Sequence, residues 1–299
     1  VLEDFHQERR DVSTGVTISY RIGGSGPPLL LLHGYPQSHV MWTKVAPELY
    51  QHFTLVMADL RGYGDSGKPE SDSTHAAYSF RAMAEDQVSL MGSLGFGTFA
   101  VAGHDRGGRV THRMCLDHAS RITRAAVLDI APTLTMYERT DMDFAMGYYH
   151  WFFLTQPHPL PETLIAADPA FYLRSNLANW SKTDPEAFAR TFLPQCLAEY
   201  ERCYTQPETI HSTCEDYRAA AGIDLEHDRA DREAGRKITC PLLALWGEKG
   251  LVHRTYDVLE TWKEVATGEV IGQAIPAGHF LAEEAPEPTA RALRAFLRS

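Results

Sequence analysis

Gly103-His104-Asp105-Arg106-Gly107 places an aspartate between two glycines, after the apolar run TFAVAG and ahead of the helix-forming run RGGRVTHRM. Small residues at the outer positions let a strand turn sharply into a helix and lift the middle side chain above the sheet, the arrangement of a nucleophile elbow. Here that side chain is a carboxylate, and the positive end of the helix dipole favours its ionised form. An aspartate that merely caps a helix is the plainer reading of the residue type; the paired glycines and the partners described next favour the elbow. A carboxylate nucleophile attacks a saturated carbon, displaces a leaving group and becomes an alkyl ester, which water must then hydrolyse.

Such chemistry selects dehalogenases and epoxide hydrolases over esterases. Hydrolysis of the ester develops an oxyanion on the carboxyl group of Asp105. His33-Gly34-Tyr35-Pro36 follows an early strand, so the backbone N–H groups of Tyr35 and Arg106 are the expected donors to it. The water needs a base, and His279, in Ala277-Gly278-His279-Phe280, lies in a short loop between the last strand and the last helix. The other thirteen histidines read as mostly scattered through exposed or inserted segments, and none has that placement. Two acids could orient the base: Asp129, ending the run AAVLDI, and Glu248, following LLALW. Both satisfy the chain order nucleophile, acid, base, and the order does not separate them.

Arg106 and Arg109 are three residues apart in the first turn after the nucleophile, so both guanidinium groups can project from one side of the helix. Elsewhere such a pair would be surface arginines matched with acidic neighbours; beside an elbow it suggests a clamp for an anionic substrate. Holding a carboxylate there would place the adjacent carbon before Asp105, and orientation of that kind is worth several kcal/mol of the barrier.

The elements that must carry these residues alternate between short aliphatic runs and amphipathic stretches, the pattern of a mainly parallel sheet covered by helices. Strands are expected near residues 16–21, 29–33, 54–59, 99–103 and 125–130, and helices over 41–50, 79–94 and 106–119. From Pro132 to about Asp231 the chain turns rich in aromatic residues, proline and histidine and shows no strand pattern, which reads as a helical insertion. Strands resume at 241–246 and 270–275, with a last helix over 288–298. This is an α/β class, with a core of residues 1–132 and 232–299 and a helical cap of residues 133–231 inserted after the sixth strand. The loop GDSGKPESDSTH (64–75) is turn-rich and polar and is expected to be exposed.

Composition narrows the role. A chain of 299 residues, 44% of them hydrophobic, is long enough for a large core, and a net charge of -11 speaks against nucleic acid, which needs a basic face. No apolar run approaches the ~20 residues of a membrane span. The first ten residues carry three acidic side chains and two arginines, unlike a secretory signal. Five cysteines without a Cys-x-x-Cys indicate neither a disulfide framework nor a zinc cluster, so a reducing cytoplasm is the expected setting.

HGYPQ, ADLRGYG, YSFRAMAEDQ, GHDRGGR, LDHAS, VLDIAPT, YYHWFF, CEDYRA and the terminal GHF together resemble the fluoroacetate (haloacetate) dehalogenases, a family of the α/β-hydrolase superfamily. These segments run from His33 to Phe280. The resemblance implies an α/β-hydrolase fold with a mostly parallel twisted sheet, and hydrolytic dehalogenation of small 2-haloacids, fluoroacetate giving glycolate and fluoride through an aspartyl ester. It implies Asp105 as nucleophile, His279 as base and Asp129 rather than Glu248 as acid, with Arg106 and Arg109 as carboxylate ligands. It also implies His150, Trp151 and Tyr217 as the halide site, no metal or other cofactor, and a homodimer. The strong carbon-fluorine bond makes fluoride a poor leaving group, so an imidazole, an indole N–H and a phenol aimed at it make chemical sense. Aromatic residues in such a stretch are otherwise core, the role expected of Tyr149, Phe152 and Phe153.

Two rivals remain. Epoxide hydrolases share the aspartate and histidine but carry an apolar aromatic residue after the nucleophile, where Arg106 stands, and use two cap tyrosines to protonate the opening ring. A non-catalytic relative that binds a small acid would commonly have lost a catalytic residue, and here nucleophile, base and acid are all present.

Overall fold

The computed structural model describes residues 2 and 4–298. Its sheet has eight strands: β1 (His6–Asp11), β2 (Thr17–Gly24), β3 (Pro28–Leu32), β4 (Thr54–Ala58), β5 (Phe99–His104), β6 (Ile122–Leu128), β7 (Leu242–Gly247) and β8 (Val270–Ile275). They lie in the order β1-β2-β4-β3-β5-β6-β7-β8, antiparallel at β1/β2 and β2/β4 and parallel from β4 onward. Parallel strands covered by helices on both faces read as continuous apolar runs. Leu29 to Leu32 and all six residues of β5 are buried accordingly.

The expected strands are present. β1 escaped the sequence reading because HQERRD has no apolar alternation; it is an exposed edge strand, paired only with β2, where polar side chains guard an open edge. The single helix expected over 41–50 is a 3-10 turn, His39–Lys44, followed by a short helix, Ala46–Leu49, with Pro47 in its first turn. The last helix starts two residues before the expected position, at Pro286. The loop 64–75 is exposed only in its second half. Ser66 is buried, its hydroxyl donating to Asp59 O at 2.7 Å and accepting from the Ser19 amide at 2.9 Å.

Between β6 and β7 the described chain is helical, from Thr133–Glu138 to Ile223–Glu233. The prolines that mark this stretch begin helices rather than break them: Pro161, Pro169, Pro194 and Pro207 all fall in first turns. The segment touches the core through the loops beyond β3, β5 and β8. Tyr204 meets the Tyr35 hydroxyl at 2.6 Å, Asp216 binds Arg106, and Trp180 O accepts the His279 amide at 3.0 Å. Among the described residues no helix is long and apolar enough to cross a membrane.

Register explains why the chemistry gathers on one edge. Leu32 is level with Gly103, His104 with Leu128, and Leu128 with Leu245. The residues following these strands therefore emerge together at the carboxyl ends, the usual place for a site in a parallel sheet.

Candidate active site

Asp105 caps the helix Arg106–Asp117 at φ 45° and ψ -113°, a conformation that non-glycine residues rarely adopt and that costs on the order of 1–3 kcal/mol. The close packing of the elbow holds it there. A Cβ on Gly103 would stand 2.2 Å from Gly107 O, and one on Gly107 would stand 2.5 Å from His33 O. Neither position admits a side chain.

The Tyr35 amide donates to Asp105 Oδ2 at 3.0 Å, and Arg109 Nε stands 4.0 Å from Oδ1. Burial works against the charge on Asp105, but His279, Arg109 and Arg106 outweigh it and bring the carboxyl down to about 2. The other amide expected to face it, that of Arg106, makes no bond to the carboxylate in this geometry.

His279 Nδ1 and Asp129 Oδ2 are 2.7 Å apart, and Asp129 Oδ1 accepts the Gly247 amide at 2.9 Å. Glu248, the other candidate acid, is exposed. Burial disfavours a charged His279; the hydrogen bond and charge of Asp129, with the charge of Asp105 behind them, prevail and raise its pKa. With Nδ1 committed to Asp129, Nε2 is left to accept a proton. The structure therefore brings Asp105, His279 and Asp129 together and leaves Glu248 outside.

Arg106 and Arg109 are both buried, and neither is wholly free. Arg106 forms a fork with Asp216: Nε donates to Oδ2 at 2.9 Å, Nη2 donates to Oδ1 and, at 3.1 Å, to the backbone oxygen. Its Nη1 is buried without a partner. Arg109 Nη1 donates to Thr133 Oγ1 at 3.0 Å, while its Nε has no partner within hydrogen-bonding range. The guanidinium of Arg106 lies 4.2 Å from the Tyr217 ring centre and that of Arg109 lies 4.6 Å from the Trp151 ring. His150 and Tyr217 rings are 5.5 Å apart, centre to centre, and the Tyr217 hydroxyl and His150 Nδ1 are again buried and unpartnered. Burial pushes the His150 imidazole well below its ordinary value, which keeps it neutral. Of the residues expected to be core packing, Phe152 and Phe153 are half-buried, but Tyr149 is exposed and does not belong to the core.

Three supporting residues were given no role in the sequence reading. Asp216 is the partner of Arg106 and also accepts the Tyr63 hydroxyl at 2.6 Å. Glu284 accepts the amides on both sides of His279, from Gly278 at 2.7 Å and Phe280 at 2.8 Å, and so fixes the loop that carries it. His104 is a third. Burial, reinforced by His279, brings it to about 3, so it is neutral and donates Nε2–H to His279 O at 2.8 Å. Four of the other histidines, His33, His39, His104 and His112, fall outside the mostly exposed or inserted placement expected of them and are buried in the core.

A sequence-family model for the alpha/beta hydrolase fold matches residues 27–286. A fluoroacetate dehalogenase from Burkholderia sp. is 47% identical over 291 residues, which is 97% of this chain and 93% of that protein. A soluble epoxide hydrolase from Corynebacterium sp. (strain C12) is 34% identical over 274 residues, 91% of each. Among solved structures, a putative alpha/beta hydrolase from Nostoc sp PCC 7120 superposes with a TM-score of 0.95 at 56% identity, covering 99% of both chains.

Proposed function

The chain belongs to the fluoroacetate dehalogenase family of the α/β-hydrolase superfamily, hydrolases acting on carbon-halide bonds, and on that premise we propose that it hydrolyses small 2-haloacids through an ester on Asp105. One observation carries the reading. Beside an ionised carboxylate at a strained elbow stand buried nitrogens and a hydroxyl that none of the described residues satisfies: Arg106 Nη1, Arg109 Nε, His150 Nδ1 and the Tyr217 hydroxyl. Buried polar groups are usually paired; other unpartnered buried atoms occur, such as Gln87 Nε2 and Ser38 Oγ, but these four belong to residues gathered around one carboxylate, as a set built to meet a ligand would be.

In the first step Asp105 Oδ1 attacks C2 of a haloacid whose carboxylate lies against Arg106 Nη1 and Arg109 Nε. The C–O bond forms as the C–halogen bond breaks, and the halide departs with the bonding pair toward His150, Trp151 and Tyr217. Oδ2, already on the Tyr35 amide, becomes the ester carbonyl. In the second step His279 Nε2 takes a proton from water, the hydroxide attacks Cγ of Asp105, and the oxyanion forms on Oδ2 with Tyr35 and Arg106 N–H as donors. Collapse returns the proton to the departing alkoxide, releasing the 2-hydroxy acid. No metal or cofactor enters the scheme.

Ion-selective measurement of halide released from a panel of 2-haloacids, run beside a panel of epoxides, tests the reading. Fluoride from fluoroacetate is expected. Diol formation from epoxides without halide release, or saturable binding without turnover, would replace it with the epoxide hydrolase or the binding protein.

Two substitutions sort the remaining roles. Asp129→Asn is expected to cost ~10³–10⁴-fold in turnover, because an amide cannot hold the same tautomer of His279 or its positive charge, whereas Glu248→Gln stays within a factor of two or so. The reverse ranking would move the acid to Glu248. Trp151→Phe keeps the apolar face over Arg109 but deletes the indole N–H. We expect fluoride release to fall by about 10²-fold and chloride release by much less; equal losses would make Trp151 a packing residue.

Since hydrolysis needs a neutral His279 whose pKa is raised, turnover should climb with pH along a limb lying above histidine's usual pKa of about 6.5. Asp105 is ionised throughout that range. A limb below the usual value would mean that Asp129 does not stabilise the imidazolium.

We also infer a core of 1–132 and 232–299 carrying a cap of 133–231, working as a homodimer in a reducing cytoplasm. Two observations support this. The five cysteines are free, and exposed apolar side chains concentrate between Met142 and Phe171.

A further inference from the structure

Outside the catalytic constellation, three side chains bring metal-ligating atoms into one place. His158 stands just before the helix Leu160–Ala166, Glu162 lies in that helix's first turn, and His211 lies in the first half of Pro207–Ala221. One ligand atom from each falls within 4.8 Å of the other two. His211 Nδ1 is 3.2 Å from Glu162 Oε1, and the imidazoles of His158 and His211 meet edge to face with centres 5.4 Å apart.

We propose that His158, Glu162 and His211 form a three-ligand site for a divalent cation of the zinc class, which ties the helix Leu160–Ala166 to Pro207–Ala221. Two imidazoles and a carboxylate are a donor set that zinc accepts, with water as a fourth ligand, whereas calcium and magnesium require mainly oxygen. Ligand bonds of about 2.0–2.2 Å in a tetrahedron put neighbouring donors roughly 3.3–3.5 Å apart. From 4.8 Å the cluster thus needs to contract by up to about 1.5 Å, and rotation of the exposed His158 ring and the partly exposed His211 ring supplies it.

Arg218 sets the character of the site. Its Nη1 donates to Glu162 Oε1 at 2.8 Å and its Nη2 to Oε2 at 3.2 Å, and it is anchored in turn by Glu215 and the Gln156 carbonyl. A carboxylate held in this way by a guanidinium is kept in its charged form, as a ligand must be. An ionised carboxylate has about four lone-pair positions, so it can hold a guanidinium and a cation together, with Arg218 orienting it from outside. The guanidinium charge also repels the cation, so micromolar rather than nanomolar affinity is expected. The consequence is local stiffness: Asp216 and Tyr217 sit five and six residues beyond His211 on the same helix.

The test uses the full chain, stripped with a chelator and titrated with zinc chloride by calorimetry. One zinc per chain is expected. His158→Ala and His211→Ala should each bind at least tenfold more weakly, and zinc should raise the melting temperature of the parent protein by a few degrees but not that of either variant. Cobalt in place of zinc should give visible absorption of low-coordinate type in the parent alone. Metal-free halide release should be unchanged in both variants, which shows that they are folded. A parent chain that takes up no stoichiometric zinc, or variants that bind it as tightly as the parent, would overturn the proposal.

Discussion

Asp105→Asn is expected to stop halide release, by at least ~10⁴-fold, while leaving the fold and the binding of a 2-haloacid in place. An amide oxygen is too poor a nucleophile to displace halide from a saturated carbon. Everything else around the residue survives the change. Asparagine has the same shape and tolerates positive φ as readily as aspartate, so the 45° of the elbow adds no new strain. The Tyr35 amide keeps an oxygen acceptor, and Arg106 keeps Asp216. What disappears is the negative charge facing Arg109 at 4.0 Å. That charge competes with an anionic ligand for the same guanidinium, so the variant should bind a haloacid as tightly as the parent or more so. Halide release and calorimetric affinity, measured on one preparation, separate the outcomes. Loss of both would mean that the site has collapsed, and retained halide release would remove the carboxylate from the mechanism. In the parent protein, heavy-oxygen water supplied for one turnover should label Asp105 before the hydroxy acid, since the incoming oxygen is added to Cγ.

The proposed nucleophile and base were legible in the sequence because each is announced by its neighbours in the chain. Gly103 and Gly107 flank Asp105 where no side chain fits, and His279 falls in the short loop after β8. Asp129 was legible only as one of two acids. What brings Asp129 rather than Glu248 to His279 is where β6 ends relative to β7, together with a turn at φ 53° at Asp129, a matter of register that local pattern does not carry. Asp216 lay within the motif CEDYRA and was passed over. A physical signal was available: a guanidinium in the first turn behind an elbow is buried, and a buried charge requires a partner. Asking which acid pairs with Arg106 would have led to the residue beside Tyr217, although 110 positions separate them. Glu284 offers no comparable signal, since an exposed acid in the first turn of a helix looks the same on paper. β1 was invisible for the opposite reason: its six residues are polar because they guard an edge, so the alternation that marks a half-buried strand never arises.

His279→Asn should separate the two halves of the reaction. The first half requires only an ionised Asp105 and a bound haloacid. His279 contributes to keeping that carboxyl low, but Arg109 and Arg106 act in the same direction and remain, so Asp105 stays charged at neutral pH. The asparagine side chain can still donate to Asp129, whose other oxygen keeps the Gly247 amide, which limits the penalty of leaving a buried carboxylate half-paired. The second half has no substitute base. Buried surroundings exclude bulk water from supplying one, and Tyr148, 3.3 Å from His279 Nδ1, has its phenol pushed far above its ordinary value by burial and by Asp129. Fluoroacetate should therefore release one equivalent of fluoride per chain in a burst, after which turnover proceeds at least ~10⁴-fold more slowly than in the parent. The intact mass should rise by one carboxymethyl group, placed on Asp105 by peptide mapping. Steady turnover with an unmodified mass would show that water attacks the haloacid directly with His279 dispensable, and a chain that neither bursts nor gains mass would show that His279 is already needed in the displacement itself.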